Sequence, residues 1–174
     1  ATPPWQPIDR LEHLQLTLAD NPYYGFGLRQ FNEHPWWYRN IFDMPNRDEC
    51  AVLTFRGVDY FADVWLNETY LGSHEGYQNP FSFEVGHLLK DKDNLLVVKV
   101  CAPWENNIMP GLANDRFLHL IRDQMKGTYE HSDTFIPRDV NPIGIWNDVE
   151  IETYNGLRLS QTPSVVSTLN EDFS

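Results

Sequence analysis

The chain has 174 residues, 41% of them hydrophobic, enough for one globular domain with a real core. Thirteen basic against 25 acidic residues leave a net charge of −12, the wrong sign for nucleic-acid phosphates or an anionic membrane surface, so neither is expected as a partner. Two cysteines exclude a disulfide scaffold and a structural zinc site, and no apolar run approaches the ~20 residues of a membrane-spanning helix.

Residues 1–12 are Pro-rich around one apolar anchor, Trp5, and form an irregular lead-in. Ala1 stands where an initiator Met would be, so the chain is expected to have been processed or cut. Residues 13–19 alternate, with Leu14, Leu16 and Leu18 on one side, the pattern of a half-buried strand. Asn-Pro and two Gly make a loop of residues 20–27, and residues 36–42 are an aromatic strand. Polar residues 44–49 connect it to residues 51–55, where Ala51, Leu53 and Phe55 point inward. Residues 62–66 and 69–71 flank Asn67-Glu68, a hairpin turn.

Phe81, Phe83 and Val85 form another alternating face. Charged residues 88–94 make a short connection to a strand at 95–100 that is apolar on both sides. Two further strands are expected, at 117–121 and at 149–153, the latter with Val149 and Ile151 inward. Apart from the strand at 117–121, residues 103–147 are a long, irregular, polar stretch, of the kind that has a functional or docking role in a compact domain. After a turn, residues 165–169 have strand character and no partner strand left, so residues 161–174 are expected to be a linker and the start of a following domain. Sustained helical periodicity is missing, and many short strands between turn residues make residues 1–160 an antiparallel β-sandwich.

The P-loop, the dinucleotide fingerprint and the Gly-x-Ser-x-Gly elbow are all lacking, and the six His show no metal-site spacing, so no cofactor and no metal are expected. Cys50 and Cys101 sit at the ends of strand-like runs, where one bridge and two partly buried thiols both fit, the thiols better. A high aromatic content of 14%, with six Trp, suits a sandwich core and equally suits stacking on sugar faces.

Residues 55–100 carry a specific pattern. Gly57-Val58-Asp59 matches a "GVD" turn, and Trp65-Leu66-Asn67 a "VWLNG" strand with Glu68 in place of the turn Gly. Leu71, Gly72, His74, Glu75 and Gly76 match "LGxHxGG", with Tyr77 for the last Gly, and Pro80, Phe81 and Phe83 match "PFxF". Residues 127–151 match a segment ending in "GIWRxVxL", with Asn147 for the Arg. On these residues the chain resembles the N-terminal sugar-binding domain of glycoside hydrolase family two, the family of β-galactosidases, β-glucuronidases and β-mannosidases.

The resemblance implies a jelly-roll β-sandwich of the galactose-binding type. It implies further that the catalytic carboxylates lie in a later (β/α) barrel, beyond an immunoglobulin-like domain, so no catalytic residue is assigned to this chain. In the family the acid/base Glu follows an Asn, but Asn32-Glu33, Asn67-Glu68 and Asn170-Glu171 do not follow a barrel strand and are structural. Trp65 is expected in the core. An Asp upstream of the Gly-Ile motif reaches the sugar in β-galactosidases; Asp139 is the match, with Asp133 as its rival, and each also fits a loop Asp capping its own turn. Asn32, before the aromatic strand, is a third candidate for substrate contact, and also fits a plain loop Asn. The expected function is an accessory domain of a family-two β-glycosidase, its partners the carbohydrate substrate and the two further domains, and the chain alone inactive. The alternative is an independent carbohydrate-binding module using Trp36, Trp37, Trp104 or Trp146.

Overall fold

Alternation of apolar and polar side chains sets the architecture, because successive strand residues face opposite sides of a sheet. The computed structural model describes residues 5–22, 26–45, 50–102, 141–156 and 158. Two short helices, α1 (Leu14–Leu18) and α2 (Gln30–Glu33), precede the strands, with a 3₁₀ turn at Phe26–Arg29. The strands are β1 (Trp36–Phe42), β2 (Cys50–Phe55), β3 (Val58–Asp59), β4 (Phe61–Leu66), β5 (Thr69–Glu75), β6 (Phe81–Glu84), β7 (Asn94–Cys101), β8 (Gly144–Ile145) and β9 (Val149–Tyr154). They form a four-stranded sheet in the order β1-β7-β4-β5, a three-stranded sheet β6-β2-β9 and a pair β3-β8, all antiparallel. The fold is the expected antiparallel β-sandwich.

The two larger sheets share one core. Ala62, Val64 and Leu66 of β4 and Leu96, Val98 and Val100 of β7 meet Ala51, Leu53 and Phe55 of β2, with Phe81, Phe83, Val149 and Ile151 packed against them. Fully burying an aliphatic or aromatic side chain of this size contributes about 1.5–3 kcal/mol. In β2 the outward Val52 and Thr54 are buried too, since the strand lies between β6 and β9. Their register neighbours are Glu84 and Glu152 for Val52, and Ser82 and Glu150 for Thr54.

Two expectations are corrected. Residues 13–19 are not a strand: Leu14–Leu18 is a single helical turn, with Leu14 buried and Leu16 42% exposed. Five residues are too few for a period of 2 to be told from 3.6, and tertiary hydrogen bonds to residues 141–143 decide the conformation. Trp65 is not a core residue. The inward set in β4 is Ala62, Val64 and Leu66, so Asp63 and Trp65 alternate to the outer face. There the Trp65 ring packs between Trp37, at 5.7 Å, and Tyr70, at 5.3 Å.

The Asn67-Glu68 hairpin forms as expected, with φ of 49° and 70°, the pair of left-handed residues that a two-residue turn between twisted strands requires. Asn67 also locks the turn to its surroundings, donating from Nδ2 to the Leu88 carbonyl and accepting at Oδ1 from the Leu95 amide. Cys50 and Cys101 are free, partly buried thiols in different sheets. No helix among the described residues is long and apolar enough to cross a membrane.

Candidate functional site

Residues 141–146 run past α1, α2, β1 and β3. The short helices bring two amide side chains to one backbone unit. Asn32, 3% exposed, donates from Nδ2 to the Asn141 carbonyl (2.8 Å) and accepts at Oδ1 from the Asn141 amide (2.8 Å). Gln15, also buried, donates from Nε2 to the same carbonyl (2.7 Å) and accepts at Oε1 from the Ile143 amide (3.2 Å). The Leu14 amide donates to the Ile143 carbonyl (2.8 Å). A buried backbone carbonyl without a donor is costly, and this one has two.

The next residues are fitted as closely. Gly144 has φ of +137°, and an added Cβ there would lie 2.9 Å from the Tyr38 hydroxyl oxygen. That hydroxyl accepts from the Ile145 amide at 3.3 Å. Burial pushes the Tyr38 phenol up to about 12 against the opposing effect of this bond, so it stays neutral at physiological pH. Gly57 lies under Trp146, and an added Cβ would come within 2.6 Å of the indole. The His13 ring stacks on Trp146 at 6.0 Å, and its Nε2 pairs with the buried Asp59 carboxylate at 3.2 Å.

Of the three sequence candidates, Asn32 is thus found at this junction, with Nδ2 and Oδ1 each bonded to the Asn141 backbone. Asp133 and Asp139 lie outside the described residues, as do the expected strand at 117–121, Trp104 and Asn170-Glu171. Glu33 is exposed beside buried Asn32, and Glu68 is exposed in the hairpin. Gln15 and Asn141 were not singled out in the sequence: Gln15 sits among alternating leucines, where a polar residue signals an outward face. Among the described residues no group of three or more His, Cys, Asp and Glu is arranged to hold a metal ion.

Elsewhere the described residues form an aromatic row and a crevice. On the outer face of the four-stranded sheet, Trp37 (48% exposed), Trp65 and Tyr70 (52% exposed) form a row beside Asp63, which accepts from Lys99 and from the Tyr70 hydroxyl. Trp36, by contrast, is half-buried, stacked on Phe31 and donating to its carbonyl. Between the sheets a crevice of about 650 Å³ is walled mainly by inward apolar side chains, among them Phe42, Leu53, Phe55, Leu96 and Ile151.

The glycosyl hydrolase 2 galactose-binding domain-like family model matches residues 10–130, well over half of the sequence. The chain belongs to this family. Its similarity to rat (Rattus norvegicus) β-mannosidase is 27% identity over 165 residues, covering 79% of this chain and 18% of that protein. A β-glucuronidase of Formosa agariphila is 34% identical over 67 residues, 37% of this chain and 7% of that protein. The solved β-D-mannosidase of Dictyoglomus thermophilum superposes with a TM-score of 0.60 at 20% identity, over 84% of this chain and 19% of that one, a likeness of fold. The chain therefore spans about a fifth of the length of these two mannosidases. As a family-two galactose-binding-like domain it corresponds to one module of larger β-glycosidases, as the "GVD", "LGxHxGG" and "PFxF" residues implied.

Proposed function

We propose that the chain acts as the non-catalytic N-terminal accessory domain of a family-two β-glycosidase, supporting hydrolysis of a carbohydrate β-glycoside in a barrel domain of the same polypeptide. The observation that carries this reading is the family match over residues 10–130, joined to a sandwich fold. Residues 1–160 are the module, and residues 161–174 lead toward an immunoglobulin-like domain and the barrel. The two carboxylates that hydrolysis needs, roughly 5–10 Å apart across the scissile bond, belong to the barrel. Asp139, or Asp133 in its place, edges the sugar site. Asp139 is two residues from Asn141, whose backbone is held by Gln15 and Asn32.

The test compares the 174-residue chain with the longer polypeptide on aryl β-mannoside, β-galactoside and β-glucuronide. Turnover by the longer polypeptide and none by the isolated chain is expected. Turnover by the chain alone, abolished by substituting one of its own acids, would overturn the reading. A second reading, an independent carbohydrate-binding module, is favoured by the exposed row Trp37, Trp65 and Tyr70. Against it, the central ring, Trp65, is engaged by Trp37 at 5.7 Å and by Tyr70 at 5.3 Å. Low-micromolar binding of a monosaccharide in calorimetry, lost in Trp37→Ala, would support the module.

A further inference from the structure

We infer that the outer face of the four-stranded sheet is the surface on which this module packs against a further domain of the same polypeptide. The inference rests on the functional reading above and adds to it the place of contact. Ala62, Val64 and Leu66 of β4 and Leu96, Val98 and Val100 of β7 point into the core, so the alternate residues of these strands point out. Register carries the same parity across to β1 and β5. The outward set includes Trp37 and Ile41 of β1, Val97 of β7, Phe61 and Trp65 of β4 and Tyr70 of β5. Ile41 is 60% exposed, and Trp37, Phe61 and Tyr70 are exposed with it.

The other sheet is an internal control. On its outer face Glu84, Glu150, Glu152 and Ser82 flank Val52 and Thr54, and Arg56 and Arg158 pair with two of the glutamates. That face suits water. A contiguous apolar face on the same sandwich marks a surface that is covered. Its charges are already matched from within. Lys99 Nζ pairs with Asp63 Oδ2 at 3.1 Å, the Tyr70 hydroxyl donates to Asp63 Oδ1 at 3.1 Å, and the Arg39 guanidinium lies over the Trp5 ring at 4.6 Å. A partner can therefore exclude water here without stranding a charge.

Size and connectivity point to the partner. Four strands about 4.8 Å apart, with β1 seven residues long at about 3.3 Å each, make a face of roughly 400 Å² in projection. This suits contacts between domains of one chain, about 600–1,500 Å² over both sides, better than the ~800 Å² that each molecule buries in a stable complex. A shared backbone raises the effective concentration, so a small face suffices within one polypeptide. This chain covers 18% of rat β-mannosidase, so most of a polypeptide of that kind lies outside it. The partner surface is flat and uncharged, with apolar and aromatic side chains.

Hydroxyl-radical footprinting of the unsubstituted 174-residue chain and of the longer polypeptide reads this face directly. Trp37 and Tyr70 should oxidise several-fold more slowly in the longer polypeptide, while Tyr154, beside Glu84 on the other outer face, oxidises alike in both. Equal rates at Trp37 and Tyr70 would overturn the inference, as would slowing confined to Tyr154. Protection of the row within the 174-residue chain would overturn it too. Protection that grows with protein concentration would assign the face to a second copy, and protection that needs added soluble β-mannan would assign it to sugar. The functional reading fails separately, if the longer polypeptide shows no glycosidase activity, and the footprint still decides whether the face is covered.

Discussion

His74 shows how one side chain links burial to pH. Its ring stacks on Phe81 at 4.1 Å, and its Nε2 is buried with no hydrogen-bond partner among the described residues. Burial holds the imidazole below its usual 6.5, with Glu75 pulling weakly the other way. The unfolded chain therefore binds the proton more tightly, so this group's contribution is complete above about pH 6.5 and is lost as pH falls below it. The urea midpoint should drop between about pH 7.5 and 5, and drop less in His74→Phe; equal drops would assign the loss to other groups. Trp65 makes the contrast with a core aromatic. Trp65→Ala should cost about 1–3 kcal/mol, the scale of two ring contacts on a half-open face. Phe55→Ala, at the centre of the core, should cost ~3–5 kcal/mol. Denaturant titration with unchanged slope would measure both, and equal costs would return Trp65 to the interior.

Among elements, the hairpin between β4 and β5 carries a removable strain. Glu68 adopts φ of 70° without being glycine, which L-residues disfavour by about 1 kcal/mol. Glu68→Gly should raise stability by roughly 0.5–1 kcal/mol and the melting temperature by a few degrees; a lower melting temperature would mean that the Glu side chain has a role of its own. This turn was legible because a short polar pair between two alternating runs has few other solutions. Strands β1, β2, β4, β7 and β9 were legible for the same reason: one face of each meets the shared core. Helix α1 was not, because its leucines spell alternation while the bonds that shape it come from residues 141–143. Trp65 misled in a related way, since its size suggested the interior while the parity set by Val64 and Leu66 placed it outside. Asn32 could be nominated from its place before β1, yet its role depends on a partner 109 residues later, which no local pattern encodes.

For the molecule as a whole, a net charge of −12 on 174 residues means self-repulsion in the compact state. Raising salt from low ionic strength to about 0.5 M shortens the screening length to a few ångströms and should increase the melting temperature. A decrease would show that attractive pairs such as Lys99–Asp63 outweigh the excess of acid. The order of strands has a different consequence. Strand β2 sits between β6 and β9, and β9 is the last described strand of the sequence. On the ribosome, residues 50–55 emerge long before residues 149–154, and in the interval one side of β2 presents unpaired amides and carbonyls. The second sheet therefore cannot close until synthesis of the module is nearly complete, although β1, β4, β5 and β7 can already pair. A ribosome stalled upstream of Val149 would hold a nascent chain with an open, apolar sheet edge, a target for holding chaperones and a seed for aggregation.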